Sequence, residues 1–119
     1  MVDRVAAKRA ALLREELTRS VQIILSQMQP RQVLLFGSLA TGRVDEWSDL
    51  GLVIVAETTL PFYDRIKDII KQVRPKAGMD ILVYAPQEWD QLVKESAFVR
   101  EEVIGKGKVL YERPNSSLA

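Results

Sequence analysis

Two short apolar runs constrain the fold of this chain more than any other feature. The first is QVLLF at residues 32–36, and the second is LGLVIV at residues 50–55. Continuous apolar runs of this length are typical of strands that are covered on both faces. A segment rich in glycine and hydroxyl side chains, GSLATGRVDEWSD, separates them. We therefore expect two buried strands joined by a polar segment that can hold a ligand.

The rest of the chain supplies helices and two further strands. A long amphipathic helix is predicted from Asp3, its N-cap, to Met28, and Pro30 stops it. Later elements are predicted as a helix at 62–73, a strand at 79–85, helices from 86 to about 93 and from 96 to 105, and a strand at 108–112. This order predicts an α+β fold, with a small mixed sheet of about four strands, helices packed mainly on one face and a long N-terminal helix. We expect residues 1–119 to form one domain.

Composition excludes several classes of chemistry. The chain has no Cys and no His, which rules out thiolate nucleophiles, imidazole zinc sites and the Ser-His-Asp triad. A net charge of +1 gives no general attraction to nucleic acids or acidic membranes. The N-terminal residues are too charged for a signal peptide, and no apolar run approaches the roughly 20 residues of a membrane span. We expect a cytoplasmic protein that binds neither membrane nor nucleic acid.

Two acidic residues stand beside apolar strands. Asp49 directly precedes the second strand, and Asp80 lies near the start of the third. A charged carboxylate at a buried strand is costly unless it is paired or bound to a metal ion, and neither strand contains Lys or Arg. One interpretation is that both carboxylates converge on a cation. The other is that both lie at exposed strand ends, or that Asp49 caps a turn.

The Gly37-Ser38 step after the first strand suits a phosphate. Glycine lets the backbone approach a ligand closely, and the N–H groups of a following turn can face an anion. Ser38 adds a hydroxyl donor, and Gly42 ends the turn. Arg43 could neutralise phosphate charge, although a solvated loop arginine is an equally good interpretation.

The stretch GSLATGRVDEWSDLGLVIV resembles the signature of the minimal nucleotidyltransferases of the DNA polymerase beta superfamily. The shared pattern is Gly-Ser, a short helical turn, Gly, a loop, and Ser-Asp-x-Asp leading into an apolar strand. A third carboxylate follows on a later strand, where MDILVY places Asp80. The resemblance extends over roughly residues 20 to 112. It implies Mg²⁺- or Mn²⁺-dependent transfer of a nucleotide from a nucleoside triphosphate to a hydroxyl of a protein or small molecule.

The resemblance also implies roles for particular residues and a partner. Gly37, Ser38, Arg43 and Ser48 would bind the nucleotide. Asp49 would bridge the metal ions, and Asp80 would hold the ion that activates the attacking hydroxyl or act as its base. Members of this family are often paired with small helical HEPN proteins encoded nearby, some as antitoxin and toxin. The long N-terminal helix could serve as the surface for that partner or for a homo-oligomer.

The sequence departs from the family pattern at Gly51, which replaces the second Asp of the pair. Loss of this ligand leads us to expect binding of one metal ion, or binding that depends on the nucleotide. Asp45 and Glu46 could substitute for it, but we expect them to be solvated loop acids. Three hypotheses follow: a weakened but active nucleotidyltransferase, a degenerate homologue that binds nucleotide without turnover, or an interaction module such as an antitoxin-like partner of a HEPN protein.

Overall fold

Between residues 3 and 114, which are the residues described by the computed structural model, the chain forms four strands and five helical segments. They are α1 Arg4–Met28, β1 Gln32–Phe36, α2 Ser38–Thr41, β2 Leu50–Val55, α3 Phe62–Val73, β3 Met79–Tyr84, α4 Pro86–Glu95, the π-helical α5 Val99–Gly105, and β4 Lys108–Glu112. The last helical segment is predicted to start at Ser96, whose hydroxyl oxygen does accept a hydrogen bond from the Val99 N–H at 3.2 Å.

The four strands form one mixed sheet in the order β3-β2-β1-β4. β1 runs antiparallel to both β2 and β4, whereas β2 and β3 are parallel, with α3 as the crossover between them. Parallel pairing brings the first residues of β2 and β3 to the same end of the sheet, with Gly51 opposite Asp80. The predicted fold class, a small mixed sheet with a long N-terminal helix, is confirmed.

The helix α1 begins and ends where its sequence predicts. The Asp3 carboxylate accepts hydrogen bonds from the backbone N–H groups of Val5 and Ala6 at 3.0 and 3.1 Å, as an N-cap does. Gln29 adopts the left-handed conformation just before Pro30 and ends the helix. Neither α1 nor any other helix between residues 3 and 114 combines the length and the apolar composition that crossing a membrane requires.

Helices cover both faces of the sheet, but not equally. The two longest helices, α1 and α3, pack on the face that carries the apolar side chains of Leu50, Leu52 and Ile54. The shorter α4 and α5 cover the opposite face with a smaller apolar cluster that includes Trp89 and Val103. Every residue of β2 is buried as a result, which explains its uninterrupted apolar run. The larger core therefore lies on one face, and the second face has a smaller core of its own.

An ion pair with one buried member, Glu16, fixes the loop that leads into β3. Glu16 of α1 is only 4% exposed and accepts hydrogen bonds from Arg19 at 2.9 Å and from the backbone N–H of Lys76 at 2.7 Å. Arg19 also donates to the carbonyl groups of Val73 and Arg74 at the end of α3. The Arg19 hydrogen bond, opposed in part by burial, lowers the pKa of Glu16 from 4.5 to about 2. Residues 74–76 are thereby held against α1, just before β3 begins.

Candidate nucleotide site

The Gly37–Ser38 turn follows β1 and has the backbone geometry that only glycine adopts easily. Gly37 has φ of 87°, and Gly42, at the end of α2, has φ of 78°. A Cβ added at either position would meet nothing within 4 Å, so backbone conformation rather than space requires glycine there. The carbonyl oxygen of Gly37 accepts hydrogen bonds from the N–H groups of Ala40 and Thr41, which close the short helix α2.

An open cavity of about 470 Å³ lies beside this turn. Gly37, Ser38, Thr41, Arg43, Glu102 and Lys106 line it. It thus combines hydroxyl donors, two cationic side chains and one carboxylate, and the Lys106 ammonium lies 3.0 Å from the Glu102 carboxylate. Arg43 does lie with Gly37 and Ser38, as the sequence interpretation requires. Lys106 was not predicted, because no local pattern connects the end of α5 with a turn after β1.

Residues of the acidic loop before β2 hydrogen-bond to one another. The Ser48 hydroxyl accepts a hydrogen bond from the Asp45 backbone N–H at 2.9 Å, and the Asp45 carboxylate accepts one from the Trp47 N–H at 2.8 Å. Glu46 faces a different cavity, beside Lys8 and Arg9 of α1. The expectation that Asp45 and Glu46 are loop acids agrees with these positions, and the Ser48 hydroxyl is engaged within its own loop.

Asp49 has a cationic partner that the sequence analysis did not identify. Arg9 of α1 donates from Nη2 to Asp49 Oδ1 at 3.3 Å and from Nε to the Ser48 carbonyl oxygen at 2.8 Å. Side-chain exposure is 48% for Asp49 and 23% for Arg9. The expectation that Asp49 has no neutralising residue nearby is wrong, because Arg9 reaches it from α1 rather than from a strand. Forty residues separate the two partners, so only the packing of α1 on the sheet brings them together.

Asp49 and Asp80 lie at the same end of two neighbouring strands. The Leu50 N–H donates to the Gly78 carbonyl oxygen at 2.9 Å, and Gly51 pairs with Asp80 in the next register position. A Cβ added at Gly78 would lie 2.3 Å from Asp49 Oδ1, so the Asp49 carboxylate occupies the space that a side chain at residue 78 would fill. Asp80 follows two residues later and is exposed. Both acids are therefore open to solvent at one corner of the sheet.

The position of the missing carboxylate is filled by an aromatic ring. A Cβ added at Gly51 would lie 2.8 Å from the Phe36 carbonyl oxygen and 3.0 Å from two atoms of the Phe36 ring. That ring makes an edge-to-face contact with Phe98, with centroids 5.7 Å apart. A side chain at residue 51 would thus meet Phe36 before it reached a cation. In the part of the chain that the structure describes, no three His, Cys, Asp or Glu side chains are grouped as a metal site. The residues present do not fit a resident two-ion centre.

Comparison with known sequences identifies a family. The model of the family described as Polymerase beta, Nucleotidyltransferase matches residues 19–116. Among curated proteins, Caffeine-induced protein 16 of Schizosaccharomyces pombe is 50% identical over 44 residues, which cover 35% of this chain. Those residues represent 4% of the yeast protein, so the likeness concerns a small segment of a much longer chain.

Solved structures share the fold at low sequence identity. A proposed nucleotidyltransferase from Sulfolobus solfataricus superposes with a TM-score of 0.66 at 17% identity, over 96% of this chain and 93% of its own. A toxin–antitoxin structure with AMP-PNP gives a TM-score of 0.51 at 16% identity, over 82% and 73% of the respective chains. At these identities the likeness shows a common fold.

Proposed function

The chain belongs to the polymerase beta nucleotidyltransferase family, and on that premise we propose that it binds the magnesium complex of a nucleoside triphosphate beside Gly37 and Ser38. The observation that carries the proposal is the cavity at this turn, which Arg43 and Lys106 line together with Ser38 and Thr41. Cationic donors and hydroxyl groups are what a triphosphate requires. Lys106 would have to exchange its bond with Glu102 for one with phosphate.

The divalent ion, Mg²⁺ or Mn²⁺, enters this proposal as part of the nucleotide substrate. Gly51 offers no ligand, and the Phe36 ring occupies its surroundings, so a resident pair of ions has no cage. Asp49 and Asp80 are the two exposed carboxylates at the corner of the sheet, and oxygen ligands of this kind suit a hard cation.

The reaction we propose is transfer of a nucleotide to a hydroxyl group of a protein or small molecule. The hydroxyl oxygen forms a bond to the α-phosphorus, the bond from that phosphorus to the pyrophosphate oxygen breaks, and pyrophosphate leaves. Asp80 is exposed and accepts no hydrogen bond from another side chain within residues 3–114, so its carboxylate is open to the proton of an incoming hydroxyl. Asp49 is already paired with Arg9.

A second candidate function is binding without turnover, as an antitoxin-like partner of a small helical HEPN-type protein. The filled space at Gly51 and the Arg9–Asp49 pair both favour it over efficient catalysis. The fold neighbour described as a toxin–antitoxin with AMP-PNP supports a protein partner and a nucleotide together. Trp47, which is 80% exposed, offers apolar surface to such a partner, and we propose a cytoplasmic setting for the pair.

Titration calorimetry tests nucleotide binding. Wild-type protein should bind Mg²⁺-ATP or another triphosphate, and Ser38→Ala should weaken binding about 5-fold, which corresponds to about 1 kcal/mol for one hydrogen bond. Ser26→Ala is the matched control, because Ser26 lies on α1 and its hydroxyl donates to the Ile23 carbonyl oxygen at 3.0 Å. Absence of triphosphate binding would support an interaction module instead. Measuring pyrophosphate release in the presence of the protein encoded nearby, co-expressed with this chain, would distinguish catalytic turnover from nucleotide binding alone.

A further inference from the structure

A planar guanidinium group already contacts one oxygen of the Asp49 carboxylate. Arg9 donates to two adjacent residues at once, from Nε to the Ser48 carbonyl oxygen and from Nη2 to Asp49 Oδ1. The carbonyl bond, at 2.8 Å, is the shorter of the two and fixes the direction of the side chain. Because Arg9 lies on a helix that packs on the sheet, its cation stays at this corner of the molecule.

We infer that Arg9 serves as a built-in cation that excludes free divalent ions from Asp49, so that a divalent ion reaches this corner only with a nucleotide. A free ion that binds Asp49 must either displace the guanidinium or sit beside it, and both cost free energy. A triphosphate brings several negative charges, which offset the repulsion between the ion and Arg9. Arg9 therefore opposes binding of the free ion but does not oppose binding of the ion together with its nucleotide.

The surroundings of Arg9 give the side chain room to withdraw. A cavity of about 230 Å³ adjoins it and is lined by Val5, Lys8, Leu12 and Glu46 as well as Arg9 itself. Glu46 supplies an alternative carboxylate in this cavity, on the loop that leads to Asp49. Release of Asp49 therefore does not require α1 to leave the sheet.

This inference rests on the proposed function only in that the divalent ion arrives with a nucleotide. The effect of Arg9 on the free ion is tested without nucleotide. The probe is Mn²⁺, with its free concentration measured by electron paramagnetic resonance in the presence of wild-type protein, Arg9→Gln, Arg9→Lys or the double variant Arg9→Gln/Asp49→Asn. Lys8→Gln is the matched control, because it removes the same charge from the neighbouring position of α1 but has no bond to Asp49. Circular dichroism melting curves confirm that each variant is folded.

Arg9→Gln should tighten Mn²⁺ binding roughly 3- to 10-fold, as expected for removal of one positive charge a few ångströms from the ion. Asp49→Asn introduced into Arg9→Gln should abolish that gain, and Arg9→Lys should retain most of the wild-type weakness. The inference is overturned if Arg9→Gln binds Mn²⁺ no better than wild type, or if Lys8→Gln gains as much as Arg9→Gln does. A failure of the proposed function would show differently, as absent triphosphate binding in the calorimetry while the Mn²⁺ ranking of the variants holds.

Discussion

Replacement of Glu16 by glutamine should destabilise the protein by about 2–3 kcal/mol at neutral pH. The Glu16 carboxylate accepts two hydrogen bonds from Arg19 and one from the Lys76 N–H, and glutamine has a single oxygen to meet all three donors. The same hydrogen bonds lower the pKa of Glu16 from 4.5 to about 2, which corresponds to about 3 kcal/mol. The predicted loss of about 2–3 kcal/mol lies at or below this value, because the Arg19 side chain is 33% exposed and water weakens the ion pair.

The same substitution should change how stability depends on pH. Since the pKa of Glu16 is lowered on folding, its stabilising contribution is complete above about pH 4.5 and is lost as pH falls toward 2. The difference in unfolding free energy between wild type and Glu16→Gln should therefore be largest at pH 7 and shrink steadily below pH 4.5. All other carboxyl groups are common to both proteins and cancel in this difference.

Urea unfolding followed by circular dichroism at pH 7, 5, 4 and 3 measures the difference directly. Glu15→Gln is the matched control, because Glu15 is exposed on the same helix and should lose less than about 0.5 kcal/mol. A difference that stays constant from pH 7 to pH 3, or a Glu16→Gln variant as stable as wild type, would refute the account of this ion pair.

Two further substitutions test other parts of the structure. Gly51→Asp would restore the family's second carboxylate in sequence, but its Cβ would press on the Phe36 carbonyl group and ring, so we expect a loss of about 1–3 kcal/mol that Mn²⁺ does not recover in thermal unfolding. Recovery by Mn²⁺ would show that Phe36 moves aside and that Gly51 alone disables the site. Arg65→Lys should cost more than about 1 kcal/mol in urea unfolding, because Arg65 donates to both Glu88 carboxylate oxygens and to the Leu60 and Val83 carbonyl groups, which a single ammonium cannot replace. An Arg65→Lys protein as stable as wild type would contradict this assignment.

The sequence predicted the elements of this fold well, because the local signals agree with the tertiary structure. The β2 run is apolar throughout because helices cover both of its faces. Asp3 caps α1, as its position before the amphipathic pattern predicts. The Gly37–Ser38 turn was also recognisable, since positive φ at Gly37 and Gly42 leaves few alternatives to glycine.

Contacts between distant segments could not be predicted in the same way. Arg9 meets Asp49 because α1 packs across the start of β2, and Lys106 joins the cavity because α5 returns to the end of β1. No spacing along the chain encodes either contact. The position of the Phe36 ring over Gly51 depends on the antiparallel pairing of β1 with β2, which a strand pattern alone does not specify. The departure from the family pattern was visible in sequence, but its steric consequence was not.

Nuclear magnetic resonance mapping of Mg²⁺-AMP-PNP binding tests the central claim most directly. Backbone amide signals of isotope-labelled protein would be followed while the nucleotide is added. The account predicts saturable shifts concentrated at Gly37, Ser38 and residues 39–43, with a second group near Lys106, and much smaller shifts at the opposite end of the sheet. Saturable shifts confined to other surfaces, or no shifts at millimolar nucleotide, would contradict the assignment of this cavity as the triphosphate site.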